Sequence, residues 1–140
     1  YTYSPNSFIW NRYKTGYWVE NADVTTEATG ASIKEILFEI ERLRKEPPSE
    51  AELQGIKNYL VGIYVLQNSS RTGVIGQLEN NNYNELDKNY LDTYVSNLSA
   101  VTAADISEMA RKYLSTEKMT IVVVGDKAKI TKQLEPFEVK

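Results

Sequence analysis

The chain has 140 residues, 41% hydrophobic and 25% charged, a formal net charge of −3, and neither histidine nor cysteine. That size and balance suit one globular domain spanning residues 1–140, and an acidic pI near 5.1 argues against nucleic acid as a partner, because phosphate binding draws on clustered Lys and Arg. Without imidazole or thiolate a hydrolytic zinc centre has no ordinary ligand set, and the usual neutral-pH base and strongest nucleophile are missing too.

The first 20 residues hold Tyr1, Tyr3, Phe8, Trp10, Tyr13, Tyr17 and Trp18, an aromatic density that favours extended antiparallel structure, with strands over residues 1–9 and 14–23. A helix follows Thr25 or Thr26 as cap, with Ile33, Ile36, Leu37, Ile40 and Leu43 on one stripe, and ends at Pro47-Pro48. Ser49 and Glu52 form a Ser-x-x-Glu capping box that opens a second helix, whose apolar face runs Leu53, Ile56, Leu60, Ile63 and Leu66. Residues 68–73 read as a break, 74–78 as one or two helical turns, and 79–85 as a polar, Asn-rich connection. Leu86, Tyr90, Leu91, Tyr94, Val95 and Leu98 define the next helical stripe, and Thr102 with Asp105 caps another helix carrying Ile106, Met109, Ala110 and Tyr113 inward. The β-branched run at 119–124 reads as a strand central in a sheet, Gly125-Asp126 as its terminating turn, and 127–134 as a short amphipathic helix. The fold class is therefore α+β, one antiparallel sheet of 1–9, 14–23 and 119–124 with the helices packed on one face, since each helix has a single apolar stripe that needs a common wall. The longest apolar stretch, 59–66, is far short of the roughly 20 residues of a membrane-spanning helix, so no membrane span is expected. No basic region followed by an apolar segment opens the chain, and the compartment stays open, with periplasm and cytoplasm both compatible.

Several stretches resemble, in order, the C-terminal part of a domain of pitrilysin- and insulinase-type zinc peptidases, the group that includes the mitochondrial processing peptidase. They are Tyr1-Thr2-Tyr3-Ser4, Gly16-Tyr17-Trp18-Val19, Ser49-Glu50-Ala51-Glu52-Leu53 after a proline pair, Val101-Thr102-Ala103-Ala104-Asp105-Ile106 with Ala110-Arg111-Lys112-Tyr113-Leu114, and Ile121-Val122-Val123-Val124-Gly125-Asp126. Each piece alone is a cap, strand or turn, and the resemblance lies in their order and spacing over almost the whole chain. It implies a metallopeptidase-like α+β fold in which homologous domains face each other across a chamber. One such domain carries the H-x-x-E-H zinc motif, and the histidine-free chain resembles its inactive partner. No cofactor is then expected in this chain, and zinc only in the partner domain. The implied partners are an H-x-x-E-H-bearing domain or subunit and a peptide substrate.

The family's substrate-binding Arg and Tyr pattern places the Tyr on Tyr3, or on Tyr1 if the spacing differs, while the Arg would precede residue 1. The resemblance also implies that a leading strand and helix of the domain lie outside the sequence, which leaves a sheet edge open and makes a homo-oligomer an expected state. A tyrosine O–H is a sound electrophilic donor to a polarised carbonyl, but Tyr1 and Tyr3 filling one face of a half-buried strand is an equally physical reading. The aromatic strands also offer an edge to an extended peptide. Three functional classes follow: a non-catalytic peptidase domain that binds peptide, a structural or scaffold subunit sharing the peptidase fold, and an unrelated α+β binding module. Neither Glu39 with Glu41 nor Glu50 with Glu52 shares a helix face, Gly73 and Gly76 lack the Lys-Ser or Lys-Thr of a phosphate loop, and Arg71 beside Ser69 and Ser70 reads as a surface loop cation.

Overall fold

A computed structural model describes residues 2–137. The fold is α+β: among the described residues there are six α-helices and one two-stranded antiparallel sheet. Strands β1 (Asn6–Arg12) and β2 (Thr15–Asn21) form a hairpin. The helices are α1 (Thr29–Lys45), α2 (Glu50–Gln67), α3 (Arg71–Tyr83), α4 (Tyr90–Ala100), α5 (Ala103–Tyr113) and α6 (Lys127–Leu134). No described helix is long and apolar enough to cross a membrane.

The hairpin starts later than the aromatic pattern suggests. Pro5 has no N–H for a ladder, so β1 opens at Asn6, and Thr2 before it forms an isolated antiparallel bridge with Val24. Asn11 and Arg12 continue β1 to a two-residue loop, Tyr13-Lys14, in which Lys14 takes a left-handed φ of 59°.

The expected third strand is absent. Among the described residues, 119–124 pair with no other strand, and their burial alternates: Met119, Ile121 and Val123 are half-buried while Val122 and Val124 are 80% and 95% exposed. The run is thus covered on one face, not on two. Its β-branched composition favours extended backbone, but a strand exists only where a partner accepts its hydrogen bonds, and among the described residues β1 and β2 pair only with each other.

Contacts sort the chain into two compact units. The first takes in the chain up to Trp10, Tyr17–Glu46, and Met109 onward. Its centre is the packing of α1 on α6, and the buried apolar side chains of this unit are Ala28, Ile40, Ala110 and Ile130. Gln133 pins that joint: its Oε1 accepts from the Gly30 N–H at 3.1 Å and its Nε2 donates to the Thr26 carbonyl at 2.9 Å. There is little room between the helices, since a Cβ on Gly30 would lie 2.7 Å from the Gln133 carbonyl oxygen. Thr116 donates to Glu41 at 2.6 Å, and Arg44 to the same carboxylate oxygen at 2.5 Å. These donors, Thr116 first, hold the Glu41 carboxyl below its ordinary value. Asp126 starts α6 by accepting from the Ala128 N–H at 3.1 Å.

The second unit comprises Asn11–Gly16 and Pro47–Glu108. Both predicted capping boxes are formed. Ser49 N–H donates to Glu52 Oε2 at 3.0 Å with Glu52 N–H returning to Ser49 Oγ at 3.3 Å, and Thr102 N–H donates to Asp105 Oδ2 at 2.8 Å with Asp105 N–H returning to Thr102 Oγ1 at 3.2 Å. Tyr64 of α2 stacks on Tyr94 of α4 with centroids 4.4 Å apart and donates its hydroxyl to the Leu91 carbonyl at 2.7 Å, satisfying the polar end of a half-buried ring. The Asn-rich stretch expected as a connection is helical: α3 runs unbroken to Tyr83. Ser70 caps it by accepting from Gly73 N–H at 3.0 Å, and its far end is held by Tyr13, whose ring meets Tyr83 at 5.9 Å and whose hydroxyl donates to Glu85 at 2.8 Å. Those contacts outweigh the low helix propensity of Asn80, Asn81 and Asn82.

Candidate functional site

Thr2 anchors the segment carrying Tyr3 twice, through its bridge to Val24 and by donating its hydroxyl to the Asp23 carbonyl at 2.8 Å. Tyr3 then projects from an anchored backbone and is 97% exposed. It fills no sheet face. Tyr1 lies outside the described residues.

Next along the chain, the hairpin carries a row of rings. A two-residue loop sets Trp10 across from Tyr17, and these rings stack with centroids 6.3 Å apart and planes 16° from parallel. Phe8, two residues from Trp10 and therefore on the same face, meets it edge-on at 5.9 Å. All three rings remain open to solvent. Two-residue alternation puts Trp18 and Glu20 on the opposite face, where partial burial raises the Glu20 carboxyl above its ordinary value by desolvation. The sequence marked the aromatic density but not the row, since stacking depends on the loop register that Lys14 sets.

Most of the remaining polar candidates are committed to local structure. Glu39 pairs with Arg42, Glu41 with Arg44 and Thr116, and Glu52 with Ser49. Ser69 donates to the Leu66 carbonyl at 2.7 Å and Ser70 caps α3. An open cleft of about 510 Å³ lies between α2 and α3, lined by Leu66, Gln67, Ser70, Gly73, Gly76 and Gln77. It offers amide and hydroxyl groups but no titratable side chain, and therefore no acid, base or activated nucleophile. Among the described residues no group of three or more Asp or Glu side chains is arranged to hold a metal ion. The hairpin and Tyr3 can bind and orient: exposed rings stack on apolar side chains, and a phenol O–H donates to a carbonyl.

No protein-family model matches the chain, and no curated protein matches it.

Proposed function

We propose that this chain is the non-metal-binding domain of a pitrilysin- or insulinase-type zinc peptidase, which helps close the substrate chamber and binds extended peptide without performing hydrolysis. The observation that carries this reading is Tyr3, a tyrosine on a doubly anchored backbone with its ring 97% exposed. A side chain that contributes nothing to packing is free to donate to a substrate carbonyl. The exposed row of Phe8, Trp10 and Tyr17 supports it as a surface for apolar peptide side chains. The ordered sequence stretches and the lack of histidine and cysteine supply the rest.

The test has two parts. Titrating the chain into a fluorescent, unfolded peptide should raise anisotropy saturably, and Trp10→Ala should weaken binding. Mixed with an H-x-x-E-H-bearing partner domain, the chain should support peptide turnover, and Tyr3→Phe should lower kcat by roughly a hundredfold, the loss seen when a donor to a developing oxyanion is removed. Zinc content and circular dichroism should not change. No peptide binding, or equal turnover with Tyr3→Phe, would favour the scaffold reading.

A further inference from the structure

The cleft between α2 and α3, about 510 Å³, is of the size that holds a small molecule, and two side-chain carboxamides stand in its lining. Gln77 Nε2 donates to Gln67 Oε1 at 3.0 Å, which ties the two side chains together and occupies one group of each. Among the described residues no hydrogen bond uses Gln67 Nε2 or Gln77 Oε1. A donor and an acceptor are left on a joined pair. A ligand that satisfies both brings an acceptor and a donor of its own a short distance apart, which is the edge of a carboxamide.

The rest of the lining sets the charge and shape of that ligand. No lining residue is charged, so a carboxylate or ammonium in the cleft would find no counter-charge, and a neutral molecule is favoured. Gly73 is required by packing, since a Cβ there would overlap the Gln67 carbonyl oxygen where the first turn of α3 meets the end of α2. Gly76 is not: nothing lies within 4 Å of where its Cβ would sit, and a glycine inside a helix lowers the helix's stability. Its missing side chain leaves bare backbone in the lining, a surface on which a flat ring can lie, and the exposed Leu66 side chain adds apolar area. We propose that this cleft binds a neutral, flat molecule carrying a carboxamide, whose amide edge pairs with Gln67 and Gln77 and whose body lies over Gly76. This does not rest on the peptidase reading, because Tyr3 and the hairpin rings are not part of the lining.

Benzamide is the probe. Titrated into the isotope-labelled full chain and followed by heteronuclear NMR, it should move the side-chain NH₂ signals of Gln67 and Gln77 and the backbone N–H signals of Gly73 and Gly76. The shifts should saturate with a Kd of about 1 mM, an affinity within reach of so small a ligand. Benzoate carries a charge, methyl benzoate lacks the donor, and propionamide lacks the ring; each should bind at least about tenfold more weakly. Gly76→Leu fills the space with a good helix former and should abolish the shifts with an unchanged circular dichroism spectrum. Gln77→Met adds no volume but removes the acceptor, and should bring benzamide down to the level of methyl benzoate. Shifts that lie elsewhere or do not saturate, a control compound that binds as tightly as benzamide, or benzamide binding that survives either substitution would overturn the proposal.

Discussion

Substituting alanine for glycine in the helices should change stability with opposite signs at different positions. Gly55 and Gly62 lie in α2 with nothing within 4 Å of where a Cβ would sit. Alanine there restricts the unfolded chain and improves helix propensity, worth about 0.5–1 kcal/mol at each site. Gly30 lies in the first turn of α1, where the new Cβ would meet the Gln133 carbonyl oxygen at 2.7 Å and the Gln133 Cβ at 3.1 Å. Neither atom is the free end of a flexible side chain, so α6 must move. Overpacking of this kind costs about 1–3 kcal/mol, and a shift of α6 also stretches the Gln133 hydrogen bonds to Gly30 and Thr26, each worth about 1 kcal/mol. Against a propensity gain of at most about 1 kcal/mol, Gly30→Ala should lose roughly 1–3 kcal/mol net. Urea denaturation followed by circular dichroism at 222 nm on all three variants measures both signs in one experiment. If Gly30→Ala raised the midpoint as Gly55→Ala does, the seating of α6 on the start of α1 described above would be wrong.

Ile130→Ala removes a side chain of α6 that is only 6% exposed and should cost about 2–4 kcal/mol by denaturant titration. Ser107→Ala should be neutral or stabilising by up to about 1 kcal/mol, because the Ser107 hydroxyl is buried with no hydrogen-bond partner among the described residues; a clear loss of stability would mean that the hydroxyl is bonded in solution. The Asp105 carboxyl is held below its ordinary 3.8, chiefly by the Thr102 hydroxyl and then the Thr102 backbone N–H, so its contribution is complete above that value and is lost as pH falls through the lowered one. Thr102→Ala should therefore lower the melting temperature by a few degrees at neutral pH and flatten the acid limb, as a pH series of thermal melts would show. Glu20 has the opposite sign: desolvation raises its carboxyl, so its ionisation opposes folding above its ordinary value, and Glu20→Gln should leave neutral-pH stability equal or slightly higher while removing the relief that acid gives.

The parts of the fold legible in the sequence are those decided within one helical turn. Ser49 with Glu52 and Thr102 with Asp105 form the expected reciprocal caps because the two members of each pair lie three residues apart. The helix at Lys127–Leu134 keeps its predicted bounds, and its cap, Asp126, was legible only as a turn residue. What escaped sequence reasoning depends on distant atoms. The asparagines of α3 look like loop until Tyr13, some 70 residues earlier by chain position, holds Tyr83 and Glu85. Tyr3, legible as a candidate, was open to a packing role because strand alternation alone does not say whether a face is covered, and the structure leaves its ring in solvent.

The run at 119–124 shows the same limit most sharply. Its composition states that the backbone prefers to be extended, whereas pairing is a property of two segments, and the hairpin uses its own strands for each other. A side chain such as Val124, 95% exposed beside a backbone without ladder bonds, is therefore the expected result of strong β propensity without a partner. The peptidase reading is tested apart from this run: should it fail, Tyr3→Phe and Trp10→Ala will be silent toward peptide, because the exposed rings of Tyr3, Phe8, Trp10 and Tyr17 carry that reading and residues 119–124 take no part in it.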